Sequence, residues 1–98
     1  MGKRISILGS TGSIGVNALK VVSHLKDELE VVYLSANKNM TLLLQQIAQY
    51  QPRAVCIVDE KAYSSIKEEL SSLNIEILVG RAGLLELAKR TDVDVMLN

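Results

Sequence analysis

Two kinds of segment alternate along this chain from end to end, and the alternation restricts its fold more than any single residue does. Short runs of apolar and β-branched residues occur at Arg4 to Leu8, Glu30 to Ser35, Ala54 to Val58, Ile75 to Val79 and Val93 to Leu97. Each is too short for a stable helix and lacks a clean polar face, which predicts strands buried on both faces. Between them lie Ile14 to Leu25, Thr41 to Tyr50, Glu60 to Leu73 and Arg81 to Arg90, where apolar residues recur three and four apart. That spacing predicts helices with one buried stripe. Thr41 or Asn39 is placed to cap the second helix and Asp59 the third, while Gly80 sits in the turn before the fourth. Pro52, with its fixed φ and no N–H, separates the second helix from the third strand. A β-α-β-α-β-α-β-α-β order with connections of this length calls for parallel strands, right-handed crossovers and helices on both faces. The expected fold is therefore α/β, a Rossmann-like doubly wound parallel sheet that stops at its fifth strand.

Ninety-eight residues, 48% of them hydrophobic, suffice for one domain with an ordinary core. Three tyrosines and no tryptophan or phenylalanine leave that core to aliphatic side chains, which suits helices layered on a parallel sheet. Eleven basic and eleven acidic residues cancel, so no global field gathers nucleic acid and no polybasic run addresses a membrane surface. The amino-terminal stretch is too short for a signal peptide and far short of a bilayer span, and a cytoplasmic location is expected. Cys56 lies inside an apolar run with no second cysteine to pair with, and is expected to be a buried small hydrophobe.

Chemistry concentrates where the first strand meets the first helix, at Gly9-Ser10-Thr11-Gly12-Ser13-Ile14-Gly15. The first glycine allows a sharp turn, the second lets backbone approach a pyrophosphate, and the third permits close packing of helix on strand. Unpaired N–H groups at the helix start then face the anion. Ser10, Thr11 and Ser13 are expected to add hydroxyl donors. No Lys-Ser or Lys-Thr pair closes the stretch, which disfavours a nucleoside-triphosphate P-loop.

The end of the second strand bears on which dinucleotide fits. A site for NAD has an acid there to accept from the ribose 2′-hydroxyl. This chain instead runs Ser35-Ala36-Asn37-Lys38-Asn39, with a lysine and no acid. Unit charges about 4 Å apart near a protein surface interact by roughly 4 kcal/mol before solvent and entropy reduce it, enough to favour a 2′-phosphate. Lys38 is thus the expected 2′-phosphate partner. Asn39 suits either phosphate or ribose contact, or the cap of the second helix.

The stretch Ile5 to Gly15, followed by Val31-Val32 and Lys38-Asn39, closely resembles the amino-terminal domain of the 1-deoxy-D-xylulose 5-phosphate reductoisomerase family, and the likeness runs on through Gln51-Pro52-Arg53-Ala54-Val55, Asp59-Glu60, Gly80 and Asp92-Val93-Asp94. The resemblance implies that Thr11, Gly12, Ser13 and Ile14 contact the NADPH phosphates, and that Lys38 and Asn39 approach the 2′-phosphate. The family usually has glycine where this chain has Asn37, a residue that tolerates left-handed backbone better than most. It further implies that residues 1–98 are the NADP(H)-binding part of a longer enzyme, which isomerises 1-deoxy-D-xylulose 5-phosphate and reduces the product to 2-C-methyl-D-erythritol 4-phosphate on the way to isoprenoids. That enzyme uses a divalent metal, magnesium or manganese, and is expected to be a homodimer. The family's catalytic residues and metal ligands follow this stretch, so none is assigned here and the 98 residues alone are expected to be inactive.

Other readings are weaker. Tyr63 and Lys67 have the Tyr-x-x-x-Lys spacing of short-chain dehydrogenases, but fall in the third helix, earlier than that family places the pair. His24, near a helix C-terminus, reads as a structural cation. The alternatives are the NADP(H) domain of another dehydrogenase, and a domain that senses NADP(H) without chemistry.

Overall fold

The computed structural model describes residues 2–25 and 27–97. Five strands alternate with four helices: β1 (Lys3–Ile7), α1 (Ser13–His24), β2 (Leu29–Ala36), α2 (Met40–Tyr50), β3 (Ala54–Ile57), α3 (Glu60–Ser71), β4 (Glu76–Val79), α4 (Gly80–Lys89) and β5 (Val95–Leu97). All pairings are parallel, in the order β4-β3-β2-β1-β5. The first three helices step the chain outward from β1 to β4. α4 then carries it back across the sheet to the far side of β1, so the direction of winding reverses between β1 and β5. That reversal opens a crevice beyond the carboxyl ends of these two strands.

Two apolar cores flank the sheet, as the doubly wound reading expects. Leu19 and Val22 of α1, Leu43 and Ile47 of α2, and Ile66 and Leu70 of α3 close over Ile5, Ile7, Val31, Leu34, Val55 and Ile57. On the opposite face Leu87 of α4, with Leu84 at its margin, covers Val32, Tyr33, Ala54, Cys56 and Leu78. Cys56 is wholly buried, and burial pushes its thiol up to about 11, so it behaves as the small hydrophobe expected.

Local chemistry sets the element ends. Asn39 caps α2 through Leu42 N–H, and Asp59 caps α3 through Ala62 N–H. Gln51 takes a left-handed conformation at φ 50° and Pro52 follows, which together end α2. Gly80 at φ 81° begins α4 itself rather than occupying a separate turn, and its left-handed backbone redirects the chain straight from strand to helix.

Two features depart from the sequence expectations. β2 is bulged: Ile5 faces Val31 but Ser6 faces Tyr33, so Val32 is unopposed and both Val32 and Tyr33 turn to the α4 face. β5 is shorter than expected and is not buried on both faces. It pairs only with β1, and Val95, Met96 and Leu97 remain 38–43% exposed. Asn98, the end of that segment, lies outside the described residues. No described helix is long and apolar enough to cross a membrane.

Candidate functional site

The glycine turn lies at the β1/β5 crevice. Gly9, two residues past the end of β1, takes left-handed backbone at φ 77° and turns the chain away from the sheet. Gly15 makes the close approach: a Cβ there would stand 2.3 Å from Gly9 O and 2.6 Å from Ser10 Cα, so only glycine lets α1 pack this tightly on the turn. Gly12 differs. A Cβ there would meet only Gly9 O, at 3.5 Å, and would otherwise project into open space. Its side of the turn is thus open to a ligand at backbone distance.

α1 begins without a side-chain cap and without an acid in its first turn. Its first hydrogen bond joins Val16 N–H to Gly12 O, which puts the N–H groups of Ser13, Ile14 and Gly15 ahead of the helical ladder. The uncapped start carries the positive end of the helix dipole with no carboxylate to neutralise it. Gly12, Ser13 and Ile14 are exposed and Thr11 is half-buried. A cleft of about 360 Å³ lies alongside, bounded by Gly9, Gly12, Ser13, Ile14 and Leu97 over an apolar floor.

The turn is held from behind. Gly9 N–H donates to Ser35 Oγ at 2.8 Å, and Ser10 N–H to Ser35 O at 2.7 Å. Ser10 Oγ stands 2.7 Å from Gln46 Oε1, and Gln46 Nε2 donates to Ser10 O at 2.9 Å. Ser10 is therefore fully buried and faces inward, against the expectation that its hydroxyl would join those of Thr11 and Ser13 as a ligand donor. Both Ser35 and Gln46 escape sequence reasoning. Gln46 in an amphipathic helix reads as an exposed polar residue, and only the fold brings it against a loop 36 positions earlier.

At the carboxyl ends of β2 and β3 lies a second polar group. The Lys38 side chain is 74% exposed, and its ammonium is 3.8 Å from Asp59 Oδ2. Asp59 N–H donates to Asn37 O, which ties the two loops together. The backbone N–H of Ala62 holds the Asp59 carboxyl below its ordinary range, with the Lys38 charge acting in the same direction. Asn39 uses Oδ1 for its cap, and no described contact engages its Nδ2 donors, so capping and ligand contact are compatible in one side chain. Neither of the discounted candidates joins this group: Tyr63 packs against the core beneath α3, Lys67 is exposed, and His24 lies at the far end of α1. No cluster of three or more potential metal-ligating side chains occurs among the described residues, so no metal chemistry is assigned to them.

Known proteins share both the sequence pattern and the fold. The family model described as 1-deoxy-D-xylulose 5-phosphate reductoisomerase matches residues 5–98. The chain is 39% identical over 98 residues to the reductoisomerase of Halothermothrix orenii, covering all of this chain and 26% of that protein. It is 44% identical over 95 residues to that of Anaeromyxobacter sp. strain K, covering 97% and 24%. Among solved structures, the Zymomonas mobilis reductoisomerase in complex with NADPH aligns with a TM-score of 0.81 at 30% identity, over 90% of this chain and 23% of that one. A reductoisomerase in complex with NADPH, fosmidomycin and magnesium aligns with a TM-score of 0.87 at 26% identity, over 96% and 23%. The chain thus spans about a quarter of the length of the relatives it matches. On the match of nearly all its residues, this chain belongs to the 1-deoxy-D-xylulose 5-phosphate reductoisomerase family.

Proposed function

We propose that these residues form the NADPH-binding, amino-terminal part of a reductoisomerase that converts 1-deoxy-D-xylulose 5-phosphate to 2-C-methyl-D-erythritol 4-phosphate. The observation that carries this reading is the uncapped start of α1 on a glycine turn whose Gly12 face is open, set at the reversal point of the sheet. The pyrophosphate is received by backbone N–H groups of Thr11, Ser13 and Ile14 and by the hydroxyls of Thr11 and Ser13, against the open face of Gly12, whose own N–H is held by Gly9 O. At the other end of the cofactor, Lys38 meets the 2′-phosphate as a point charge and Asn39 Nδ2 donates to it. Bound NADPH supplies a hydride; this domain contributes orientation, by anchoring two phosphate-bearing points of the cofactor on one rigid sheet.

The solved relatives name NADPH and magnesium as their ligands, which supports the same pair for the intact protein. Its metal ligands and catalytic groups lie outside these 98 residues, which by themselves do not turn over substrate. A homodimeric, cytoplasmic enzyme acting on a small phosphorylated sugar is the setting that the family offers. The decisive test is a calorimetric titration of the intact protein with NADPH and NADH. Wild type should prefer NADPH, and Lys38→Gln should reduce that preference about 10- to 100-fold, or roughly 1.4–2.7 kcal/mol, while leaving NADH affinity within about threefold. Equal affinity of wild type for the two cofactors would remove the role of Lys38.

A further inference from the structure

Resting on the NADPH reading above, we infer that Gln46 is a positioning residue that locks the phosphate turn to α2 and thereby sets the spacing between the turn and the Lys38–Asn39 loop. The side-chain amide of Gln46 is buried, and burying an amide is costly unless both halves find partners. Both do, and both partners belong to Ser10. The orientation of the amide is unambiguous, because the Ser10 carbonyl accepts only and must face Nε2.

The consequence is geometric. Ser10 has its N–H on Ser35 and its hydroxyl and carbonyl on Gln46, so every polar group of that residue is committed inward. The ligand-facing part of the turn therefore begins at Thr11, at a fixed height above the sheet. Gln46 lies six residues beyond Met40, the first residue of its helix, about 9 Å along a rigid rod from the end that Lys38 and Asn39 precede. Asn39 caps that same helix, so the loop at its head moves with it. One helix is thus bonded to the turn by its middle and carries the other phosphate-binding loop at its start. A dinucleotide bridges both, and its affinity depends on their separation, whereas a ligand that uses one end does not.

Gln46→Leu in the intact protein keeps the volume and removes both hydrogen bonds. We expect it to weaken NADPH at least tenfold by calorimetry. Adenosine 2′-phosphate, which reaches only the Lys38 end, should bind within threefold of wild type in an NMR titration. Unchanged NADPH affinity in a folded Gln46→Leu protein overturns the proposal, as does an equal loss for both ligands. Should that variant fail to fold, Gln46→Met decides: it keeps the unbranched shape and likewise offers Ser10 neither the amide donor nor the amide acceptor. It should lose at least tenfold in NADPH affinity while binding adenosine 2′-phosphate within threefold of wild type, and unchanged NADPH affinity or an equal loss for both ligands overturns the proposal. Wild type failing to bind NADPH would sink the parent reading instead, which separates the two failures.

Discussion

The two ends of one sheet are built on opposite principles. At the amino ends of the strands, charges are spent on each other. Arg90 grips Glu76 with two hydrogen bonds of 2.9 and 2.6 Å, reaches Glu86 at 2.7 Å, and lies over the Tyr33 ring at 5.2 Å. The Tyr33 hydroxyl donates to Asp92 at 2.6 Å, and Arg53 stands 4.0 Å from both Asp92 and Glu30. At the carboxyl ends the glycine turn has no ionisable side chain, the start of α1 is uncapped, and among the described residues the exposed Lys38 has one carboxylate partner, Asp59 at 3.8 Å. Networks of mutually satisfied groups add to stability and offer little to a ligand. Donors that the fold leaves unmet are what an anionic ligand completes. The contrast teaches where to look: among the described residues the functional end has one ion pair, and the other end has four.

Substitutions that fail to respect that division would break the comparison, and the glycines give the largest expected effect. Gly15→Ala forces a Cβ against backbone at 2.3 Å and should cost on the order of 3 kcal/mol in denaturant unfolding, with NADPH binding lost alongside. Gly12→Ala meets only an ordinary contact, so stability should stay within about 0.5 kcal/mol while NADPH affinity falls tenfold or more. Parallel losses in both variants would mean that the turn is structural throughout.

A smaller effect is expected at the opposite end. Arg90→Met should lower stability by about 1–2 kcal/mol and leave NADPH affinity within twofold. The same variant sharpens the pH dependence. The Arg90 hydrogen bonds hold the Glu76 carboxyl below its ordinary range, and the Tyr33 hydroxyl does the same for Asp92. A carboxyl depressed in the folded state contributes stability above its unfolded value, near 4, and loses it as the pH falls through the lower folded value. Acid unfolding of wild type should therefore steepen below about pH 4, and the Arg90→Met protein should lack the Glu76 share. An identical acid limb in both proteins would deny the pairing any part in stability.

The smallest effect tests the boundary itself. Asp59→Asn keeps a competent helix cap, so the melting temperature should hardly move. It removes the Asp59 carboxylate beside Lys38, and NADPH affinity should rise by up to about threefold. A fall would mean that Asp59 steadies Lys38 for the phosphate more than it repels it.

Much of this arrangement is legible in the linear chain. Alternating periodicities locate all nine elements, and Asn39, Asp59 and Pro52 mark helix ends by local chemistry alone. The glycine spacing marks the turn because each glycine answers a backbone requirement. What escapes is set by contact at a distance. The inward turn of Ser10 depends on Gln46 and Ser35, and nothing local to Ser10 signals either. The exposure of β5 follows from its place at the sheet edge, which composition does not encode. The bulge at Val32 is silent for a different reason: Val31 to Leu34 are apolar at every position, so a slip in alternation leaves no mark.

That bulge gives β2 two reading frames. Before it the odd-numbered Val31 serves the three-helix core, and after it the even-numbered Leu34 and Ala36 do. Ser35 is thereby turned to the opposite side from both, where its hydroxyl receives Gly9 N–H. A one-residue deletion at Val32 would straighten the strand and leave Ser6 opposite Tyr33 and Ile7 opposite Leu34, so Ser35 would keep its side of the sheet and its place behind the glycine turn. One apolar residue inserted between Leu34 and Ser35 would instead swing Ser35 onto the three-helix side, and so act on the phosphate site from within the core without altering one residue that faces the ligand.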